Sequence, residues 1–172
     1  LRRSEAATGR VLRSYTVHGA DRYALADSAA ARLLADFGVR APASSVAEVT
    51  TRSLDAYRYY QDGLQMYARG LNGEALRLFE SAVAADSAFA MAAYYGTLIA
   101  WRIEAYDRAI PLLSLAVRLA PRATDRERLT ILALHAARTQ SPAMRAIAET
   151  LATRYPDDAE GHLYAGTAAM FA

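Results

Sequence analysis

The residue types that most often catalyse reactions or bind metals are sparse in this sequence. Three histidines, His18, His135 and His162, lie far apart and belong to no HExxH or cysteine-containing pattern. The absence of cysteine excludes disulfides, thiolate catalysis and cysteine-bound metal. The sequence also has no glycine-rich phosphate loop. We therefore predict that these residues do not form an enzyme and that they hold no cofactor and no metal.

The acidic residues are better explained by helix ends than by acid–base chemistry. Glu127, flanked by two arginines, is interpreted as the solvated start of a helix, where a carboxylate is favourable. The pair Asp157 and Asp158 is typical of a turn followed by a helix cap. Ser44 and Ser45 have no base near them in sequence. No convergent polar site is predicted.

Composition excludes two further classes of function. Hydrophobic residues make up 53% of the 172 residues, but the longest apolar run, residues 88–101, is shorter than the roughly 20 residues of a membrane-spanning helix. We therefore expect no spanning segment. All 20 basic residues are arginine and they are scattered, with a net charge of only +2. This pattern predicts no nucleic-acid binding.

An internal repeat with a period of thirty-four residues organises the middle of the chain. Segment 74–87 recurs as segment 108–121. The matching positions are Ala75 with Ala109, Phe79 with Leu113, Ala82 with Ala116 and Val83 with Val117. A fixed period of this length indicates a stack of helical units that bury their apolar faces against one another.

The first 38 residues have a different pattern. Residues 11–17 alternate in the manner of a strand after a tight turn at residues 7–9, which predicts the second strand of a hairpin whose partner strand is mostly missing. Asp21 is the expected N-cap of a helix that ends at Gly38. Residues 39–52 are predicted to be a linker. Because both ends of the sequence interrupt such patterns, we expect a piece of a longer protein.

Helical periodicity continues from residue 53 onward. The predicted helices are 54–69 and 74–85, 89–103 and 106–119, 125–138 and 142–154, and a last one over 159–171. Gly70 is expected to close the first helix, Pro121 to stop the fourth and Pro142 to begin the sixth at its first position.

These features resemble the tetratricopeptide repeat. Gly63, Ala75, Phe79 and Ala82 fit one unit, and Gly96, Thr97, Ala109, Leu113, Ala116 and Pro121 fit the next, while Gly166 marks a fourth. The resemblance implies a mainly α fold, a helix-turn-helix solenoid of about three and a half repeats over 53–172, preceded by a small α/β remnant. It also implies that Gly63 and Ala75 lie where paired helices cross and that Phe79 fills the space between units.

A second resemblance covers residues 1–38. Three runs are similar to the end of a FlgO/TolB-like domain of bacterial signalling proteins: Thr8-Gly9-Arg10-Val11-Leu12, then Val17-His18-Gly19-Ala20-Asp21, then Ala24-Leu25-Ala26-Asp27. Such domains precede tetratricopeptide arrays in some kinases and cyclases. This implies the sensory or assembly arm of a larger bacterial protein, in a periplasmic or other extracytoplasmic location rather than in the cytoplasm.

The tetratricopeptide resemblance also implies a concave wall formed by the first helix of each unit. The residues carried onto that wall are Tyr57, Tyr60, Leu64, Tyr67, Met91, Tyr94, Leu98, Trp101 and Arg102. Tyrosine and tryptophan bury large areas at low entropic cost, so we expect a protein or peptide partner there. Two alternatives stay open. Several of these aromatics pack against the preceding α/β helix or against missing repeats, or the protein is a permanent structural subunit of a large membrane-associated complex.

Overall fold

The computed structural model describes residues 2–5, 7–18, 22–38, 51 and 53–170. Backbone contacts divide the chain into two compact units, Leu1–Val49 and Thr50–Ala172. Both units are described separately below. The predicted linker, residues 39–52, lies outside the described residues except for Thr51. Thr51 is buried, and its hydroxyl donates a hydrogen bond to the Asp86 carboxylate.

The first unit contains a hairpin and a helix. Strand β1 (Arg2–Ser4) pairs antiparallel with β2 (Val11–Ser14), so the prediction of a mostly missing partner strand was wrong. Between the strands Gly9 has φ +69°, a left-handed conformation that glycine adopts without strain. Helix α1 (Arg22–Asp36) is followed by Gly38 at φ +69°, as predicted. The proposed cap Asp21 lies outside the described residues.

The second unit is entirely helical in its described residues. Its helices are α2 (Leu54–Ala68), α3 (Asn72–Ala85), α4 (Ala90–Arg102), α5 (Tyr106–Leu119), α6 (Asp125–Arg138), α7 (Met144–Arg154) and α8 (Ala159–Met170). Each helix packs against the next one in the chain, and α4 and α8 each also contact α6. A mainly α fold is therefore confirmed. No helix in the described ranges is both long and apolar enough to cross a membrane.

Helices α2, α4 and α6 end in the same way. In α2 the amide of Leu71 donates to the carbonyl of Met66 while Gly70 has φ +76°, which is the Schellman arrangement. Glu104, thirty-four residues further along, has φ +60° and ends α4 with equivalent bonds. Gln140, at φ +52°, ends α6. The sequence repeat thus corresponds to a repeated backbone turn.

Two predicted helix starts were wrong by two residues. Helix α3 begins at Asn72 rather than at residue 74, since Gly70 turns the chain sharply enough for Leu71 to accept the first helical bond. Helix α7 begins at Met144 rather than at Pro142. The Ser141 hydroxyl accepts a hydrogen bond from the Ala143 amide in a local turn, so the helix begins only after this turn.

The helix that begins at Asp125 starts with a capping box. Thr124 accepts a hydrogen bond from the Glu127 amide, and the Glu127 carboxylate accepts from the Thr124 amide in return. The interpretation of Glu127 as part of a helix start is therefore confirmed, and its side chain in addition satisfies a backbone donor. The first carboxylate of this helix, Asp125, binds Arg128 and Arg154, and these bonds lower its pKa to about 2.

Close approach of paired helices depends on glycine. A Cβ atom on Gly63 would lie 3.0 Å from the ring of Phe79, whose side chain is 0% exposed. One on Gly96 would lie 3.0 Å from Leu112, and one on Gly161 would lie 3.2 Å from Leu151. The crossing position expected for Gly63 is thus confirmed. Gly166, which marks the last unit in the sequence, has open space around it, and Gly161 is the glycine at the contact with Leu151.

We expect Gly63→Leu to destabilise the second unit by about 1–3 kcal/mol, because the buried Phe79 ring cannot move aside without overpacking. Urea unfolding followed by circular dichroism measures the effect. Gly166→Ala is the matched control and should be neutral or stabilising by roughly 1 kcal/mol, since alanine is the better helix former. Equal stabilities for the Gly63→Leu variant and the parent protein would contradict the crossing contact.

Candidate functional site

Side chains from α2, α4, α6 and α8 meet one another and form a common surface. The Arg102 guanidinium lies 5.3 Å from the ring centre of Tyr67, which joins α4 to α2. The Arg138 guanidinium lies 4.9 Å from Trp101, which joins α6 to α4. We call this surface the first-helix face. It is defined by Tyr60, Tyr67, Tyr95, Trp101, Arg102, Arg138 and Glu160.

One part of the first-helix face is an aromatic cluster. The ring of Tyr60 lies 5.7 Å from that of Phe79, 4.8 Å from that of Phe89 and 5.8 Å from that of Tyr95. Phe79 and Tyr95 stack with their ring centres 5.6 Å apart. Burial raises the pKa of the Tyr60 hydroxyl well above its ordinary value, so this hydroxyl keeps its proton even at alkaline pH where an exposed tyrosine ionises.

A hydrogen-bonded group of side chains joins α4 to α8. The Tyr95 hydroxyl donates to Glu160 Oε1 at 2.9 Å, and the Tyr94 and Tyr164 hydroxyls lie 2.9 Å apart. Burial is the main cause of a raised pKa at Glu160, opposed by the hydrogen bond from Tyr95. This carboxylate therefore holds its proton more tightly than an exposed glutamate does.

A cavity of about 330 Å³ opens beside this group. Tyr60 and Tyr95 line it together with Met91 from α4, and α6 contributes Thr130. Its remaining lining is strongly charged and consists of Arg126, Glu127, Asp157, Asp158 and Glu160, with Ala159 between the last two. The cavity thus combines aromatic walls with several carboxylates.

The other part of the face is rich in arginine and aromatic rings. Trp101 lies edge-on to Tyr106 at 5.8 Å and carries the Arg138 guanidinium on its face. The Tyr67 hydroxyl accepts a bond of 3.3 Å from Arg102. Among the described residues no carboxylate forms an ion pair with either arginine. Such stacked guanidiniums keep their donors available for a partner.

The structure separates the predicted binding residues into accessible and buried ones. Arg102 is exposed, whereas Met91 and Tyr94 are only 7% and 1% exposed, although Met91 also lines the cavity. The half-buried members are Tyr57, Tyr60, Leu64, Tyr67, Leu98 and Trp101. Of these, Tyr60 lies in the aromatic cluster, while Tyr67 and Trp101 lie in the arginine-rich part. The ring of Tyr95 lies 6.3 Å from that of Tyr67 and 5.8 Å from that of Tyr60, and so connects the two parts.

Three residues of this face were absent from the prediction. Tyr95 follows Tyr94 directly, and its ring lines the cavity while that of Tyr94 is buried. Arg138 belongs to α6 and Glu160 to α8, which lie outside the two segments that match at the thirty-four-residue offset. The Tyr-Tyr pair was a visible signal in the sequence, since adjacent residues of a helix point in different directions around its axis.

Comparison with known proteins adds no assignment. No protein-family model matches the chain, and no curated protein matches it in sequence. Within the described ranges, no group of three or more histidine or acidic side chains could hold a metal ion.

The bond between the Tyr94 and Tyr164 hydroxyls can be tested by a double-mutant cycle. Tyr94→Phe and Tyr164→Phe should each destabilise the protein by about 1 kcal/mol, since each leaves a buried hydroxyl without its partner. The double variant should lose less than the sum of the two. Additive losses in urea unfolding would show that these hydroxyls do not interact.

Glu160 should make stability fall as the pH rises. Its raised folded-state pKa means that its protonated form favours folding, so this contribution is full below the unfolded pKa near 4.5 and is lost as pH rises through the folded pKa. The groups facing it are Tyr94 and Tyr95 from α4, Arg126 from α6 and Asp158 before α8.

Urea unfolding at about pH 4.5 and about pH 7.5 measures this dependence. The stability of the parent protein relative to Glu160→Gln should decline between the two values, whereas the exposed control Glu149→Gln should give a nearly constant difference. A parent protein that gains stability over Glu160→Gln as pH rises would contradict the stated direction.

Proposed function

We propose that this protein is a non-catalytic interaction module of tetratricopeptide type that binds a protein or peptide partner across its first-helix face. The observation that carries the proposal is the arginine-rich part of that face, where Trp101 and Tyr67 are half-buried and each is covered by a guanidinium. Tryptophan, tyrosine and arginine are the residues most enriched at the energetic centres of protein interfaces.

The solenoid arrangement is supported by three features of the second unit. Consecutive helices pack in chain order. The turns at Gly70 and Glu104 repeat after thirty-four residues. Glycines Gly63 and Gly96 allow the two helices within each of the first two pairs to approach closely. A stack of such units presents its first helices on one side, which is the side from which the first-helix face is built.

The preformed geometry of the face favours binding without large rearrangement. Trp101 is held between Tyr106 and Arg138, and Tyr67 is held by Arg102. A partner would therefore meet side chains whose rotamers are already restricted, which reduces the entropic cost of association. An extended segment or an apolar helix with acidic residues suits such a surface.

The wider setting rests on the resemblance of residues 1–38 to FlgO/TolB-like domains. Under this proposal the module is the sensory or assembly arm of a larger bacterial protein, placed outside the cytoplasm. A scaffold of this kind needs no reactive group, because its work is to hold its partner in place.

The test is affinity purification of the full-length protein from its own cells with cross-linking mass spectrometry, followed by binding measurements with the partner found. The double variant Trp101→Ala/Arg102→Ala should bind at least about tenfold more weakly while keeping its helical circular-dichroism signal. Ile110→Ala, which truncates an exposed apolar side chain on α5, is the matched control and should bind normally.

Undiminished binding by the double variant would contradict the proposal, and so would an equal loss with Ile110→Ala. Recovery of one stoichiometric membrane complex, with the protein unstable outside it, would instead identify a permanent structural subunit.

A further inference from the structure

The cavity beside Glu160 carries an excess of negative charge. Four carboxylates line it, those of Glu127, Asp157, Asp158 and Glu160, against the one guanidinium of Arg126. Two of the four have a clear structural role, since Glu127 caps α6 and Asp158 accepts hydrogen bonds from the first amides of α8. Glu160 caps neither helix, so capping does not explain its carboxylate.

Glu160 forms no ion pair within the described part of the chain, although the charge of Arg126 acts on it through space. Its carboxylate accepts the Tyr95 hydroxyl, but no described cation forms an ion pair with it. Arg126, the nearest candidate, is held by Asp158, whose side chain is 8% exposed. A half-buried carboxylate without a cation is costly, and the cost falls when a cation is supplied.

The aromatic walls favour the same kind of ligand. Tyr60 and Tyr95 both line the cavity, and a cation placed against a tyrosine ring is attracted by the negative face of the ring. A guanidinium suits the combination better than an ammonium does. Its plane stacks on a ring while its fork of N–H donors reaches carboxylate oxygens.

We propose that this cavity receives an arginine side chain of the partner polypeptide, with Glu160 as its counter-charge and Tyr60 and Tyr95 as its walls. The proposal rests on the proposed function, since it places the partner segment on the same first-helix face. A volume of about 330 Å³ matches one side chain at the small end of ligand cavities. Beyond the proposed function, the cavity proposal states that the partner carries a basic residue at this place, whereas the arginine-rich part of the face suits an acidic residue.

The first experiment needs no identified partner. The full chain, labelled with ¹⁵N, is titrated with N-acetyl-arginine amide and, separately, with N-acetyl-citrulline amide, which has nearly the same shape but no charge. Saturable shifts confined to amides around Tyr95, Thr130 and Glu160 are expected with the arginine compound only. Glu160→Gln should weaken this binding about tenfold, while Glu149→Gln should leave it unchanged.

Equal shifts with both compounds would overturn the proposal, as would shifts that do not saturate or that spread over the whole surface. Unchanged arginine binding by a folded Glu160→Gln variant would also overturn it. Urea unfolding of that variant shows whether it is folded.

The two proposals fail in different ways. Arginine binding at the cavity, with no partner on the first-helix face, would contradict the proposed function alone. A partner that is lost on Trp101→Ala/Arg102→Ala, combined with no response to the arginine compound, would contradict the cavity proposal alone.

Discussion

The two helices of the first pair, α2 and α3, are held close together by the contact between a glycine and a buried phenylalanine. A Cβ on Gly63 would meet the ring of Phe79, and a Cβ on Gly96 would lie 3.6 Å from the Cβ of Phe79. Because Phe79 is fully buried, a larger residue at Gly63 would separate the helices rather than displace the ring. The distance between α2 and α3 depends on this contact, and Phe79 in turn contacts Tyr60 and Tyr95 of the first-helix face.

The same phenylalanine positions the polar group on that face. Tyr95 stacks on Phe79, and this stacking holds its hydroxyl where Glu160 accepts it. A contact in the core of the first helix pair therefore positions Tyr95, and the Tyr95 hydroxyl bonds to Glu160 of α8, sixty-five residues after Tyr95 in the chain. The result is a carboxylate kept in partly apolar surroundings, with a raised pKa, beside a cavity. Packing and electrostatics are coupled here, since the helix spacing determines how deeply the Glu160 carboxylate is buried.

Most of the helices could be predicted from the sequence, but the surface they form could not. The thirty-four-residue offset and Gly70 locate α2 to α5 closely, because periodicity and a left-handed glycine are local signals. The starts of α3 and α7 were missed because turn bonds at Leu71 and Ser141 decide them. Tyr94 was placed on the wall and is buried, whereas Tyr95 lines the cavity. The difference depends on contact with Tyr164, seventy residues away, which no local pattern contains.

The central claim is that a partner lies across the first helices of the pairs. Hydrogen–deuterium exchange of the full-length protein, alone and with its purified partner, tests it most directly. The account predicts that binding slows exchange in α2, α4, α6 and α8 and leaves α3, α5 and α7 unchanged. Slowed exchange confined to α3, α5 and α7, or to the hairpin of residues 2–14, would contradict it.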